Sequence, residues 1–290
     1  MAVDLHTHSD VSDGSEPPRE VVRLAAQSGL TALALTDHDI LSGLGEAKRA
    51  AEEFGLELIP GVELSLDWSS IAPSADERGG MHLIVLWLDD TPGPLQDHLA
   101  ELRRGRDERN LRILGRLADL GLEVTLEEVE RRAGTGSVGR PHIAGVMVDR
   151  GYVPDIATAF DLYLRNGGPA YVGRPRLDPA RAIRLALASG GVPILAHPQS
   201  LGYESDPQLE GILRQLAEMG LVGVETHHSA IEPYRRRILR RMAERIGLAP
   251  SGGSDFHGAY KPGIAVGTGC GDLLVPDEFL EDLRARRGVQ

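Results

Sequence analysis

The chain has a single cysteine, Cys270, among 290 residues. That excludes an internal disulfide framework and a structural thiolate zinc site, and it fits a reducing compartment. Aromatic residues make up only 4% of the chain, too few for an extended base-stacking platform. No apolar run approaches the roughly 18 residues that mark a membrane-spanning helix. The opening MAVDLHTHSD lacks both a basic region and an apolar core, so a cytoplasmic protein without a secretion signal is expected. Positive charge is also in deficit. The net charge of −12 argues against nucleic-acid binding through the whole surface, while a carboxylate-rich site for divalent cations is compatible with it. A monomer with no membrane partner is expected.

What is present is alternation. Apolar runs at Thr31–Leu35, Glu57–Val62, Leu83–Leu88, Val192–Ala196, Leu221–Val224 and Leu248–Ser251 read as strands. Glu20–Gln27, Leu44–Phe54, Pro179–Ala188, Gln208–Glu218 and Tyr234–Ile246 read as helices. This order indicates βαβ units of an α/β fold, closed as a barrel or doubly wound. From about Leu95 to Asn166 the rhythm fails, and only helical patterns are found. Thr125-Leu126-Glu127-Glu128 opens a helix with a capping box, Gly134–Gly139 reads as a loop and Arg140–Val148 as a helix. Residues 95–166 are therefore expected to form a small helical insertion between 1–94 and 167–290. Ser69–Gly80 reads as a mobile polar loop. Arg103, Arg106, Arg109, Arg112 and Arg116 form a basic stripe, and Arg235, Arg236, Arg237, Arg240 and Arg241 another; both read as solvated faces.

Four strands run straight into ligand-type residues. Thr31–Leu35 leads to Asp37-His38-Asp39, Leu58–Val62 to Glu63, Val192–Ala196 to His197, and Leu248–Ser251 through Gly252-Gly253-Ser254 to Asp255-Phe256-His257. Reactive groups in α/β folds gather at the carboxyl ends of strands. His6-Thr7-His8 adds two imidazoles on one side of an extended segment, because side chains repeat with period two, and Asp13 follows closely. His82 is the exception, since it precedes its apolar run. Six imidazoles and three carboxylates without a thiolate favour catalytic manganese, zinc, iron or magnesium. Nine donors are too many for one ion, so at least two are expected, with Glu63 as the bridging carboxylate. Asp37 and Asp39 are candidates either to orient His38 or to cap its turn, and Gly252 and Gly253 to let Asp255 approach the ions.

Asp4-Leu5-His6-Thr7-His8, Ser12-Asp13-Gly14, Thr36-Asp37-His38, Pro60-Gly61-Val62-Glu63, Ala196-His197-Pro198 and Gly253-Ser254-Asp255-Phe256-His257 together resemble the polymerase and histidinol phosphatase (PHP) family of metallo-phosphoesterases. The motifs span residues 4 to 257. The resemblance implies a distorted (β/α)7 barrel, a relative of the TIM barrel, holding two to three divalent ions, manganese first, with iron, zinc or magnesium as alternatives. It implies one ion on His6, His8, Glu63 and Asp255, a second on Glu63, His82 and His197, and a third on Asp13, His38 and His257.

Within the family, the insertion and Gly139-Arg140-Pro141-His142-Ile143-Ala144 resemble the branch of 3′,5′-nucleoside bisphosphate phosphatases and RNase AM-type 5′→3′ exoribonucleases. That resemblance implies an insertion over the barrel mouth, with Arg140 and His142 on substrate phosphate and in the catalytic role. The expected substrate is a small nucleotide or short RNA, with phosphate as product. Another phosphomonoester such as histidinol phosphate is the alternative substrate, and a non-catalytic nucleic-acid-binding or scaffold module the alternative of another class. After the run Leu221–Val224, Glu225 and His228 are further substrate-binding candidates: Glu225 either meets a ribose hydroxyl or orders the side chains around the ions, and His227 or His228 either touches substrate or lies behind the ligands or at the surface.

Overall fold

In the computed structural model, which describes residues 2–71, 80–133, 138–173 and 176–288, the chain divides into two units, Met1–His98 with Arg176–Gln290, and Leu99–Pro175. In chain order the elements are β1 (Ala2–Asp4), α1 (Pro18–Gln27), β2 (Ala32–Leu35), α2 (Leu44–Phe54), β3 (Glu57–Leu66) and β4 (Met81–Leu86). Four helices follow, α3 (Pro94–Asp119), α4 (Leu126–Ala133), α5 (Arg140–Asp149) and α6 (Ile156–Ala159), the last continued by a wider turn to Leu164. The chain ends with α7 (Pro179–Ala188), β5 (Val192–Leu195), α8 (Asp206–Glu218), β6 (Gly223–His228), α9 (Pro233–Ile246), β7 (Ala249–Gly253), β8 (Val275–Pro276) and α10 (Asp277–Arg286).

The sheet of the first unit has the order β7-β6-β5-β4-β3-β2-β1-β8. It nearly closes on itself. Beyond β1 the extended Leu5–His8 segment meets the chain after β7, with Leu5 N–H on Gly252 O at 3.1 Å and His8 N–H on Phe256 O at 3.0 Å. β1, β2 and β3 pair in parallel, as do β5, β6 and β7. β4 departs from the all-parallel expectation: it is antiparallel to both β3 and β5. An antiparallel neighbour needs no helical crossover, and among the described residues no helix separates β3 from β4.

The period-two pattern of the strands sorts the core. Val3, Ala32, Ala34, Ile59, Ile84, Leu86, Val192 and Ile194 fall in one buried cluster with Phe279, Leu280 and Leu283 of α10. The opposite face of β2, Leu33 and Leu35, packs on α1 and α2. These helices bury Val21, Val22 and Ala25, and Ala47, Ala50 and Ala51, at three- and four-residue spacing. Pro18 starts α1 where a missing N–H costs nothing, and Gly55 at φ 67° ends α2.

The second unit has its own core, including Ile113, Leu117, Val129, Ile143, Met147 and Leu164. It extends past residue 166 because Ala170 and Val172 belong to that core. Thr125 and Glu128 form the expected start of α4, with Thr125 N–H on Glu128 Oε2 at 3.0 Å. The basic segments are not uniformly solvated. Arg109 is buried, and Arg236 is buried with Nε on Ile231 O at 2.7 Å and Nη1 on Asp272 O at 2.8 Å. Most of the Ser69–Gly80 and Gly134–Gly139 loops lies outside the described residues. No helix among the described residues is long and apolar enough to cross a membrane.

Candidate metal centre

One end of the barrel collects the ligand-type side chains. His6 and His8 lie on the extension of β1, both fully buried, as period two requires. Glu63 sits within β3, 1% exposed, and His38 bridges to it in parallel. His197 follows β5, and Asp255 and His257 follow β7. The reversed direction of β4 explains His82, which pairs with Ser65 of β3. Its amino end lies where the parallel strands have their carboxyl ends, so a residue before the apolar run joins residues after the others. The backbone here is held off its usual minima: Asp39 (φ 55°), His197 (φ 25°) and Asp255 (φ 56°) are three of four described non-glycine residues with positive φ. Each such residue costs of order 1–3 kcal/mol and persists where the surroundings impose it.

Glu63 is the hub. Its Oε1 lies 2.9 Å from His82 Nδ1 and 3.0 Å from His197 Nε2. Its Oε2 lies 3.2 Å from His6 Nε2, 3.0 Å from His8 Nε2 and 3.3 Å from His38 Nδ1. Asp255 Oδ1 completes the first set at 3.5 Å from both His6 Nε2 and His8 Nε2. Asp13 forms a further set, with Oδ1 3.3 Å from His257 Nε2 and Oδ2 3.6 Å from His38 Nε2. His8 presents Nδ1 to Asp13 Oδ1 at 3.6 Å, so its ring spans the first and third sets. All nine expected donors are thus brought together.

The donor set fits divalent cations. His257 Nδ1 is 2.9 Å from Asp255 O, a carbonyl that can only accept, so Nδ1 carries the proton. Ser200 Oγ donates to Gly80 O at 3.0 Å and so accepts from His197 Nδ1 at 2.9 Å. His6 Nδ1 donates to Glu225 Oε1 at 3.0 Å. Three imidazoles are therefore fixed with a lone pair on Nε2, and each lone pair faces a carboxylate oxygen. Without a cation or an extra proton those contacts are repulsive; orienting partners of this kind accompany metal-bound histidines. His8 Nδ1 and His38 Nδ1 are also buried without a hydrogen-bond partner.

Electrostatics carries the same signature. Burial opposes charge on His6, yet Glu225, Glu63 and Asp255 hold its pKa well above the ordinary imidazole value. His197 is raised against its burial, chiefly by Glu63. Burial, helped by His38 and His257, pushes His8 down to about 3, leaving it neutral and able to ligate. Glu63, Asp13 and Asp255 are all held below the ordinary carboxylate range by facing imidazoles, against their burial. In the absence of metal, a proton does part of the work of a cation.

Glu225 and His228 lie beneath the donor set. Glu225 is fully buried, and its Oε2 accepts the His197 N–H at 2.5 Å while Oε1 holds His6. Both oxygens are engaged inside the protein, and neither is exposed for a ribose hydroxyl. A register shift between Glu225 and His227 breaks the alternation of β6. His228 consequently points inward, 3% exposed, while the His227 ring packs edge-on against Phe279. Ala230 N–H donates to His228 Nδ1 at 3.0 Å, which places the proton on Nε2, 3.5 Å from Asp255 Oδ2. A protonated Nε2 cannot ligate, so the His6–Glu225–His228 grouping is not a metal site.

Asp37 does not orient His38. It binds the loop that carries Asp13, accepting from Ser9 N at 2.8 Å, Ser9 Oγ at 2.7 Å and Ser12 Oγ at 2.6 Å. Asp39 Oδ1 accepts from Ser65 N at 3.3 Å. Gly253 is required for strand closure rather than for Asp255: a Cβ there would stand 2.5 Å from the His6 amide nitrogen. Lys261 escaped the sequence reading altogether, and its Nζ is 2.6 Å from Asp255 Oδ2.

In the second unit, Arg140 donates from Nη1 to Leu164 O at 2.9 Å, with its guanidinium over the rings of Tyr171 and Phe160 at 5.3 and 5.7 Å. His142 reaches back to the N-cap of α5, Nδ1 accepting from Gly139 N–H at 3.1 Å. Its pKa is lowered by burial and by Arg132.

Comparison with known proteins agrees with this geometry. A match to the PHP domain family covers residues 4–106. A 5′-3′ exoribonuclease from Haemophilus influenzae is 34% identical over 88% of this chain and 89% of its own length. A 3′,5′-nucleoside bisphosphate phosphatase from Chromobacterium violaceum is 33% identical over 91% of this chain and 90% of its own. Among solved structures, a predicted metal-dependent phosphoesterase from Bifidobacterium adolescentis superposes with a TM-score of 0.78 at 30% identity, covering 98% of this chain and 96% of that one.

Proposed function

Because the chain belongs to the PHP domain family, we propose that it is a metal-dependent phosphoesterase, a cytoplasmic monomer that hydrolyses nucleotide phosphate esters, either 3′,5′-nucleoside bisphosphates or short 5′-phosphorylated RNA. The observation that carries this reading is the set of Nε2 lone pairs on His6, His197 and His257 aimed at Glu63, Asp255 and Asp13. His6, His8, Glu63 and Asp255 would hold one ion, Glu63, His82 and His197 a second, and Asp13, His38 and His257 a third. Manganese is proposed, with iron, zinc or magnesium as alternatives. Such ions would lower the pKa of water and neutralise phosphoryl oxygens.

The chain's own residues divide the remaining work. Glu225, Ser200 and the Asp255 carbonyl keep the imidazole tautomers correct. Arg140 is proposed to bind substrate phosphate through its guanidinium, whose planar fork suits two phosphate oxygens. Its bond to Leu164 O and its aromatic flanks support this by limiting the rotamers lost on binding. His142 carries its proton on Nε2, because Nδ1 accepts from Gly139, and is proposed as a phosphate donor. The test is product analysis of the purified, manganese-loaded protein on adenosine 3′,5′-bisphosphate, a short 5′-phosphorylated oligoribonucleotide and histidinol phosphate. Release of phosphate from the bisphosphate, or of mononucleotides from the RNA, is expected. Turnover of histidinol phosphate alone would overturn the nucleotide assignment.

A further inference from the structure

The pocket over the metal-donor cluster has a volume of about 300 Å³. Its lining includes the carboxylates Asp13, Glu63 and Asp255, and Lys261 is its only lysine or arginine among the described residues. Asp255 divides its oxygens. Oδ1 faces His6, His8 and His257 at 3.4–3.5 Å, while Oδ2 meets Lys261 Nζ at 2.6 Å and the buried His228 Nε2 at 3.5 Å. The Lys261 side chain is 39% exposed.

Its mount is firm and its tip partly exposed. Lys261 follows the short turn Gly258–Tyr260, directly after His257. That turn is tied to the Asp13 loop by Ala259 N on Ser15 Oγ at 2.8 Å and Ser15 N on His257 O at 3.1 Å. Gly258 takes φ 62°, and any Cβ there would collide with Ser15.

A half-exposed ion pair adds little stability, so a structural counter-ion role explains little of this placement. Only the Asp255 carboxylate separates this ammonium from a cluster built to gather cations, so an anion entering the pocket is favourable to both. We propose, on the reading given above, that Lys261 is a phosphate-binding residue supplied by the barrel unit. Its ammonium leaves Asp255 Oδ2 to donate to a non-bridging oxygen of a phosphate held in this pocket. It thereby acts on any phosphate ester or on inorganic phosphate, independently of Arg140.

The test uses manganese-loaded wild type, Lys261→Met and Lys261→Arg. Inorganic phosphate binding is measured by calorimetry, KM and kcat on adenosine 3′,5′-bisphosphate by phosphate release, and bound metal by mass spectrometry. Lys261→Met should weaken phosphate binding and raise KM roughly 10- to 30-fold, the lower part of the range of a charge-assisted hydrogen bond, as suits a partly exposed ammonium. Lys261→Arg should restore most of that, with bound metal the same in all three. Unchanged phosphate affinity in Lys261→Met overturns the inference, as does a loss that merely follows a loss of bound metal. Wild type that binds phosphate, with Lys261→Met weakened, but hydrolyses no nucleotide sinks the proposed function and leaves Lys261 as a phosphate ligand.

Discussion

Glu225→Gln removes a charge from a fully buried side chain with almost no change in shape. The carboxylate performs two tasks, accepting from His6 Nδ1 at 3.0 Å and from the His197 N–H at 2.5 Å. An amide can perform only one. If its oxygen stays on His6, its NH2 faces the His197 N–H, donor against donor. If it flips, the NH2 faces His6 Nδ1, which must then accept, and the His6 proton moves to Nε2, where it blocks the lone pair aimed at Glu63. Losing one charge-assisted hydrogen bond costs about 1.5–3 kcal/mol. That corresponds to roughly 10- to 150-fold, which overlaps the roughly 10- to 100-fold loss of metal affinity typical when a ligand's hydrogen-bond partner is altered. The assay strips the variant with chelator, titrates manganese, and follows bound metal and turnover together, with thermal melting to confirm folding. A right-shifted metal dependence with recovery of turnover at high manganese is expected. A manganese titration superimposable on wild type would refute the positioning role of Glu225.

Three further outcomes are expected. Gly253→Ala places a Cβ against the His6 backbone, an overpacking that costs about 1–3 kcal/mol; chemical denaturation should show the loss and bound metal should fall, and wild-type values for both would contradict the closure argument. In the metal-free protein, His6 and His197 have raised pKa values, so their stabilisation is full below the ordinary imidazole pKa of about 6.5 and is lost as pH rises through their folded values. Glu63, Asp13, Asp255 and Glu225 are depressed, so theirs is present above the ordinary carboxylate range and lost as pH falls through the folded values. From about pH 7.5 to pH 9, where the depressed imidazoles of His8, His82, His142 and His227 are neutral folded and unfolded, the metal-free melting temperature should therefore decline, and added manganese should raise it more at pH 9; equal gains at both pH values would count against proton–metal exchange. Arg140→Met should raise KM for adenosine 3′,5′-bisphosphate roughly 10-fold with bound metal unchanged, and an unaltered KM would leave Arg140 with a packing role among Leu164, Phe160 and Tyr171.

Much of the barrel and the donor set was legible because strand and ligand lie next to each other in the chain. Thr36-Asp37-His38 after β2, Glu63 in β3, His197 after β5 and Asp255 after β7 need only local pattern and the rule that reactive groups gather at strand ends. α2 and α7 have the expected limits, since their apolar spacing, Gly55 and Pro179 are local signals. β8 and α10 were not read, because Val275–Pro276 is too short for a period and α10 buries only Phe279, Leu280 and Leu283 among charged residues. The direction of β4 was not legible either: an apolar run looks the same in both directions, and His82 stood as an anomaly until the antiparallel register placed it.

The deeper limit concerns which nitrogen carries a proton. Composition supplies imidazoles but not their orientation, and orientation decides ligand from bystander. His6, His197 and His257 become ligand-type because Glu225, Ser200 and the Asp255 carbonyl, each settled by tertiary contact, hold their Nδ1 protons. His228 is equally buried and equally close, yet the Ala230 amide fixes the opposite tautomer and removes it from the set. The bulge in β6 produces both results at once: it keeps Glu225 facing inward beneath His6 and His197, and by shifting the alternation one position it brings His228 in and sends His227 to Phe279. A strand with regular alternation would have put Glu225 and His227 on one face, and the sequence shows nothing at Thr226 to forbid that. The centre therefore depends on an irregularity that no local propensity encodes, and Glu225 bears on it through the histidines it holds.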